Sequence, residues 1–112
     1  MIIQERWTQA LECDNVHDEN GNPTGGSVRS NGLSIDWQNG PLGRGADKVE
    51  PSGAFVEDVI LAASQRLHFY NNGKFSCRQN AIAITKLEEA LHWLQDRHED
   101  RERREVQGLH QA

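Results

Sequence analysis

Two hydrophobic periods divide the chain. Leu33, Ile35 and Trp37 alternate with Ser34, Asp36 and Gln38, the two-residue period of a strand with one apolar face. Upstream, Glu19 to Gly26 reads Glu-Asn-Gly-Asn-Pro-Thr-Gly-Gly, a dense turn signal because Asn and Gly accept positive φ and Pro fixes its own. The simplest reading is a β-hairpin of Leu11–Asp18 and Ser27–Gln38 about that turn. Two strands are not stable alone in water, so the apolar face must be covered by the rest of the chain or by a partner.

Past Gly53 the period becomes that of a helix. Val56, Val59, Ile60, Ala63, Leu67 and Tyr70 lie on one stripe, with Ser52 behind Pro51 as the N-cap and Glu57 and Asp58 at the positive end of the helix dipole. Asn71-Asn72-Gly73 stops this helix, and Ser76 to Gln79, a Ser-x-x-Gln capping box, opens a second. There Asn80, Ile84, Leu87, Leu91 and Leu94 form the stripe, while Ala81, Ala83 and Ala90 permit close approach. Nothing breaks the second helix before about Arg104. The short connection predicts an antiparallel hairpin of Ser52–Asn71 and Ser76–Arg104. Because the second helix is longer, Asp96 to Glu105, with nine charged residues in ten, should overhang. Ile82 and Trp93 fall on other faces of the second helix and call for a partner, which predicts at least a dimer. The fold class is therefore α+β, with a β-rich region over residues 1–50 and a helical hairpin and charged tail over residues 51–112.

Composition narrows the possible functions. The 112 residues carry 12 Lys and Arg against 17 Asp and Glu, a net charge of −5, which removes the long-range pull toward phosphate backbones that DNA and RNA coating relies on. No apolar run reaches half of the ~20 residues that a membrane span needs, and Met1 to Leu11 lacks the apolar centre of a signal peptide. A cytoplasmic protein is expected. Cys13 and Cys77 stand 64 residues apart, a spacing that indicates neither a metal-ligand pair nor a disulfide framework.

Reactive chemistry is sparse. His92 and Asp96 are four apart on a helix, but a third metal ligand is not evident, and no nucleophile-elbow or metalloprotease motif is present. No cofactor is implied. Gly40-Pro41-Leu42-Gly43-Arg44-Gly45 lacks the ending of a phosphate loop and reads first as a turn that needs unusual backbone angles. Arg44, its one cation, is a candidate anion contact. The charge run reads first as a solvated face with pairs such as Arg97 with Asp100 or Arg101 with Glu105. Asn80 interrupts an apolar stripe, so its amide either fixes the register of the core or reads the edge of a ligand. Phe69 and Tyr70 close the first helix, Phe75 precedes the second and Trp93 lies well along it; such rings read first as hairpin core, but with Asn80 and Arg97 nearby they would make a pocket for a nucleobase and a phosphate.

At these residues a resemblance appears. Phe75-Ser-Cys-Arg-Gln-Asn80, the run from Ala81 to Leu94 and then Arg97 resemble the helical hairpin shared by two groups of phage counter-defence sponges. These are the Thoeris anti-defence proteins of the first described class and the anti-CBASS cyclic-nucleotide sponges. Leu33 to Gly43 and Ser52 to Ile60 are similar to the N-terminal part of the Thoeris type. The resemblance, from about Leu33 to Val106, implies a non-enzymatic protein that holds cyclic ADP-ribose isomers with a glycosidic linkage between riboses. Some such proteins also take up cyclic trinucleotides at separate sites. It further implies a homodimer, or a hexamer built from dimers, with the messenger at the dimer interface in the cytoplasm of the infected host. Carried over by motif, Phe69 or Tyr70 would stack on adenine, Asn80 would hydrogen-bond the base or ribose, and Arg97 would meet the pyrophosphate. Arg44 and Arg103 would be further contacts. The tail Arg104-Glu105-Val106-Gln107-Gly108-Leu109-His110 departs from the Arg-Gly-Val-Glu-Gly-Thr-His of the family, which puts a contribution of the tail to the pocket in doubt. The competing readings are a protein–protein adaptor whose hairpin only dimerises, and a small-nucleotide hydrolase.

Overall fold

The alternating segment builds more strands than its pattern advertises. β1 (Ile2–Ile3), β2 (Leu11–His17), β3 (Pro23–Ser30) and β4 (Leu33–Asp36) form an antiparallel sheet in chain order. The computed structural model describes residues 1–104. Contacts divide it into two units, Met1–Phe55 and the residues from Val56 onward. The turn before β3 is tied by Asp18, whose Oδ1 accepts from the backbone N–H groups of Asn20 at 2.8 Å and Asn22 at 3.0 Å. Residues 27–38 do not make the single strand expected. Asn31-Gly32 reverses the chain in two residues, with Ser30 opposite Leu33 and Gly32 at φ +76°, because a two-residue connection matching the strand twist needs positive φ, which Asn and Gly accept. Val28, opposite Ile35, is the buried apolar side chain of this unit among the described residues.

Ser52 is not the cap of the first helix. Its Oγ accepts from the Asn39 N–H at 3.1 Å and its own N–H donates to Gln38 Oε1 at 2.8 Å. Next to it Ala54 pairs with Trp37 in a parallel bridge, held by Ala54 N–H to Asp36 O at 2.7 Å and Gln38 N–H to Ala54 O at 2.9 Å. This segment is extended against the end of β4, so the helix starts four residues later than expected, as α1 (Val56–Asn71). Glu57 and Asp58 lie in its first turn, as expected.

α2 (Arg78–Arg103) follows after a short turn. Its cap is Cys77, whose Sγ accepts from the Asn80 N–H at 3.4 Å, and not the Ser76 capping box. The helices pack antiparallel: His68 Nε2 lies 3.8 Å from Glu88 Oε1 near one end and Arg97 Nη2 3.6 Å from Glu57 Oε2 near the other. This register sets the start of α1 level with about His98, so α2 overhangs by only about a turn, much less than the run from Asp96 to Glu105. The α2 stripe holds as read: Ile84 is 6% exposed, and Asn80, Leu87, Leu91 and Leu94 are half-buried. On α1 Glu57, Val59, Ile60, Ser64, Leu67 and Asn71 are buried or half-buried, while Val56, Ala63 and Tyr70 stay exposed. α1 is rolled so that Ser64, 7% exposed, occupies the seam in place of Ala63. Among the described residues, no helix is long and apolar enough to cross a membrane.

Truncating Ile84 to Ala should cost about 2–4 kcal/mol in a urea titration followed by helical circular dichroism, the range for a core Ile. In the sheet, Gly26 (φ +143°) faces the Asp14 carbonyl oxygen where a Cβ would go, whereas Gly21 (φ +82°) has open space. Gly26→Ala should therefore destabilise by more than about 2 kcal/mol and Gly21→Ala by about 1 kcal/mol in thermal denaturation.

Candidate functional site

The turn between α1 and α2 is short and tied by side-chain amides. Asn71, the last residue of α1, accepts the Cys77 N–H on its Oδ1 at 2.9 Å, and Asn80 donates from Nδ2 to the Phe75 carbonyl at 3.3 Å. Gly73 N–H donates to Tyr70 O at 3.2 Å, taking up a carbonyl that the helix end leaves open. The polar interruption of the α2 stripe is thus explained: Asn80 fixes where the turn sits.

The pinned turn leaves a concavity of about 450 Å³ lined by Phe69, Tyr70, Asn72, Gly73, Lys74 and Phe75. Phe75 projects 66% exposed. The Phe69 and Tyr70 rings are tilted 56° to each other with centroids 5.9 Å apart. Arg66, one turn earlier, places its Cζ 4.9 Å from both ring centroids and donates from Nε to Tyr70 Oη at 3.1 Å. Lys74 Nζ lies 5.7 Å from the Phe75 ring centroid. Three rings and two cations thus stand at one end of the hairpin, a set suited to stacking a flat base beside a negatively charged group. Arg66 and Lys74 were not singled out from sequence, although the Arg66, Phe69, Tyr70 spacing of three and four places all three on one side of a helix.

Arg97 is elsewhere. It lies 17 residues beyond Asn80 on α2, about 26 Å at 1.5 Å per residue, and its partner is Glu57 rather than Asp100. Asp100 instead takes Arg103 at 3.6 Å and Arg104 at 3.0 Å. Phe69 and Tyr70 line the concavity, and Asn80, which does not line it, is joined to it by the bond to the Phe75 carbonyl; Arg97 and Arg103 lie near the opposite end of the same hairpin, so one chain does not gather the whole predicted set. Arg44 is half-buried in the glycine-rich loop of the other unit, where its carbonyl accepts the Asp47 N–H at 3.1 Å. Gly40, Gly43 and Gly45 all have positive φ there, as the turn reading expected. The Arg101–Glu105 pair and the divergent tail involve positions outside the described residues.

Two free thiols, Cys13 and Cys77, are present. Among the described residues no group of three or more His, Cys, Asp or Glu side chains is arranged to hold a metal ion.

Comparison with known proteins bears directly on this end of the molecule. The model of the family described as Acb2/Tad1, hairpin domain, matches residues 31–97, which include both the aromatic concavity and Arg97. The chain belongs to the Acb2/Tad1 hairpin family. A relative in it, Thoeris anti-defense 1 of Bacillus phage SBSphiJ7, is 44% identical over 78 residues, which is 70% of this chain and 52% of that protein. The chain spans about half the length of the curated relative that it matches. The Acb2/Tad1 match begins after β3, at the Asn31-Gly32 turn, so β1 to β3 lie outside it.

Asn71→Ala and Asn80→Ala each remove a side-chain bond to the turn backbone, and each should lower stability by about 0.5–1.5 kcal/mol in urea titrations.

Proposed function

We propose that this chain is a phage anti-defence protein that sequesters a cyclic nucleotide messenger of bacterial immunity without degrading it. The messenger class is the cyclic ADP-ribose isomers with a glycosidic bond between riboses, with cyclic oligonucleotides as further ligands at separate sites. Membership of the Acb2/Tad1 hairpin family and the name of the phage relative support the reading. The observation that carries it is the concavity of Phe69, Tyr70 and Phe75 with cations on its rings, inside the segment that the family shares.

The roles carry over from the motif that the hairpin shares with the family. Phe69 or Tyr70 stacks on adenine. Asn80 donates one Nδ2–H to the Phe75 carbonyl, which leaves its second N–H and its Oδ1 to meet the base or a ribose hydroxyl. Arg97 clamps the pyrophosphate, whose charge matches a planar, permanently charged donor; Arg44 and Arg103 are further anion contacts. Because Arg97 lies about 26 Å of helix from Asn80, the site needs two hairpins running in opposite directions, which sets the Arg97 end of one beside the aromatic end of the other. The protein therefore works as a homodimer or as a hexamer built from dimers, in the cytoplasm of the infected host. Ile82 and Trp93, the latter 75% exposed, give α2 apolar surface for such pairing.

The same exposed surface would serve an adaptor that binds only proteins, and one experiment separates the readings. The protein is incubated with a cyclic ADP-ribose isomer, washed and denatured, and the released material is analysed by mass spectrometry. Intact messenger is expected. An altered product would mean hydrolysis, and nothing released would return the chain to the adaptor reading. Light scattering at micromolar concentration should give at least a dimeric mass.

Arg97→Ala removes only an exposed ion pair with Glu57 and should cost a few tenths of a kcal/mol of stability. The same change should weaken messenger binding by about 1.5–3 kcal/mol in calorimetry, the scale of hydrogen bonds to charged groups. Lys86→Ala, which removes an exposed charge paired with Glu89 at 3.6 Å, should leave the affinity unchanged.

A further inference from the structure

The ring pair at the hairpin turn is not held by packing. Phe69 is 59% exposed and Tyr70 38%, and rings so placed in water would sample several rotamers unless something fixed them. Arg66 is the group in position to do so. Its guanidinium lies 4.9 Å from the centroid of each ring and its Nε–H donates to Tyr70 Oη at 3.1 Å. A planar guanidinium can lie on a ring face and donate an in-plane N–H bond at once, whereas an ammonium on a flexible stem is a point charge. The contacts span positions i, i+3 and i+4 of α1, so they form within one helix and need no partner chain.

We infer that Arg66 is a positioning residue of the ligand site: it fixes Phe69 and Tyr70 before ligand arrives and covers one face of each ring, which leaves the opposite faces for the base. The inference rests on the sponge reading for the ligand, but its first half concerns the free protein. Ordering two rings in advance removes part of the conformational cost of binding. It also places a permanent positive charge beside the stacking surface, which favours a base carrying phosphate over a bare nucleoside.

The test uses the full chain with Arg66→Met, Arg66→Lys, Tyr70→Phe and the double variant Arg66→Met with Tyr70→Phe. In the free protein, NMR shifts of the Phe69 and Tyr70 ring protons should move toward averaged values in Arg66→Met, with the helical circular dichroism unchanged. Unchanged ring shifts would overturn the inference whatever the ligand. In calorimetry with a cyclic ADP-ribose isomer, Arg66→Met should bind about fivefold to tenfold more weakly, the combined scale of cation–π contacts and one hydrogen bond. Arg66→Lys should recover less than half of that loss in log affinity, and Tyr70→Phe should lose a smaller factor than Arg66→Met. The double variant should bind no more weakly than Arg66→Met by over about twofold, since both changes break the same contact. Wild-type binding with Arg66→Met within twofold of it would overturn the positioning role and leave the sponge reading standing. No binding by the wild type would overturn the sponge reading and the ligand half of the inference together, while the ring shifts would still decide the first half.

Discussion

Two asparagine amides hold the connection between the helices, and the hairpin is built around them. Asn71 closes α1 on the Cys77 N–H, and Asn80 reaches back from the first turn of α2 to the Phe75 carbonyl. With both ends of a short turn tied, the helices have one register, the one in which Glu57 meets Arg97 and His68 meets Glu88. The same two bonds decide that Phe75 projects and that the space between it and the Phe69–Tyr70 pair stays open. A leucine at Asn80 would continue the apolar stripe but lose the bond that places the turn.

Among the described residues neither unit has a deep interior. The seam of the hairpin buries Ile84 and Ser64, and the sheet buries Val28, while large apolar side chains on both units remain in water. Units of about fifty residues hide too little surface to be robust alone. Hydrogen-bond economy therefore counts for more than usual: Asp18 ties the β2–β3 turn, Gln38 and Ser52 bind the extended segment before α1, and Cys77 caps α2. Each of these pairs a polar side chain with a backbone group, close in sequence at Asp18 and Cys77 but 13 and 14 residues apart at Ser52 and Gln38, which sequence spacing alone only partly specifies.

What could be read from sequence divides along that line. The two helices and the stripe from Asn80 to Leu94 followed from periodicity, since burial obeys the 3.6-residue repeat wherever a helix has one neighbour, and their antiparallel sense followed from the short connection. Asn31-Gly32 was legible but unread, because the alternation around it continued as if the strand did. The late start of α1 was not legible: Ser52 is as good a cap as any, and only the bridge between Ala54 and Trp37 shows that the segment is committed elsewhere. Among the candidate site residues, Phe69, Tyr70 and Asn80 flank one turn, the rings lining its concavity and the amide tied to the Phe75 carbonyl. Arg97 does not, because separation along a helix grows by 1.5 Å with every residue and no stripe analysis reports it. Arg66 escaped notice since an arginine on an exposed helical face is ordinary until its ring contacts are seen.

The pair between Arg97 and Glu57 has a further consequence for selectivity. An arginine whose charge is already met by a carboxylate is a poor trap for stray anions: inorganic phosphate, sulfate or a free carboxylate must each displace Glu57 and gain little in exchange. At 3.6 Å and well exposed, the pair is weak, so a ligand that brings two linked phosphates and anchors itself elsewhere through a base can make the exchange. If Arg97 meets the messenger as proposed, Glu57 is a resident competitor that every anion must displace first, a small cost that a singly anchored ion bears alone and a ligand held at both ends shares.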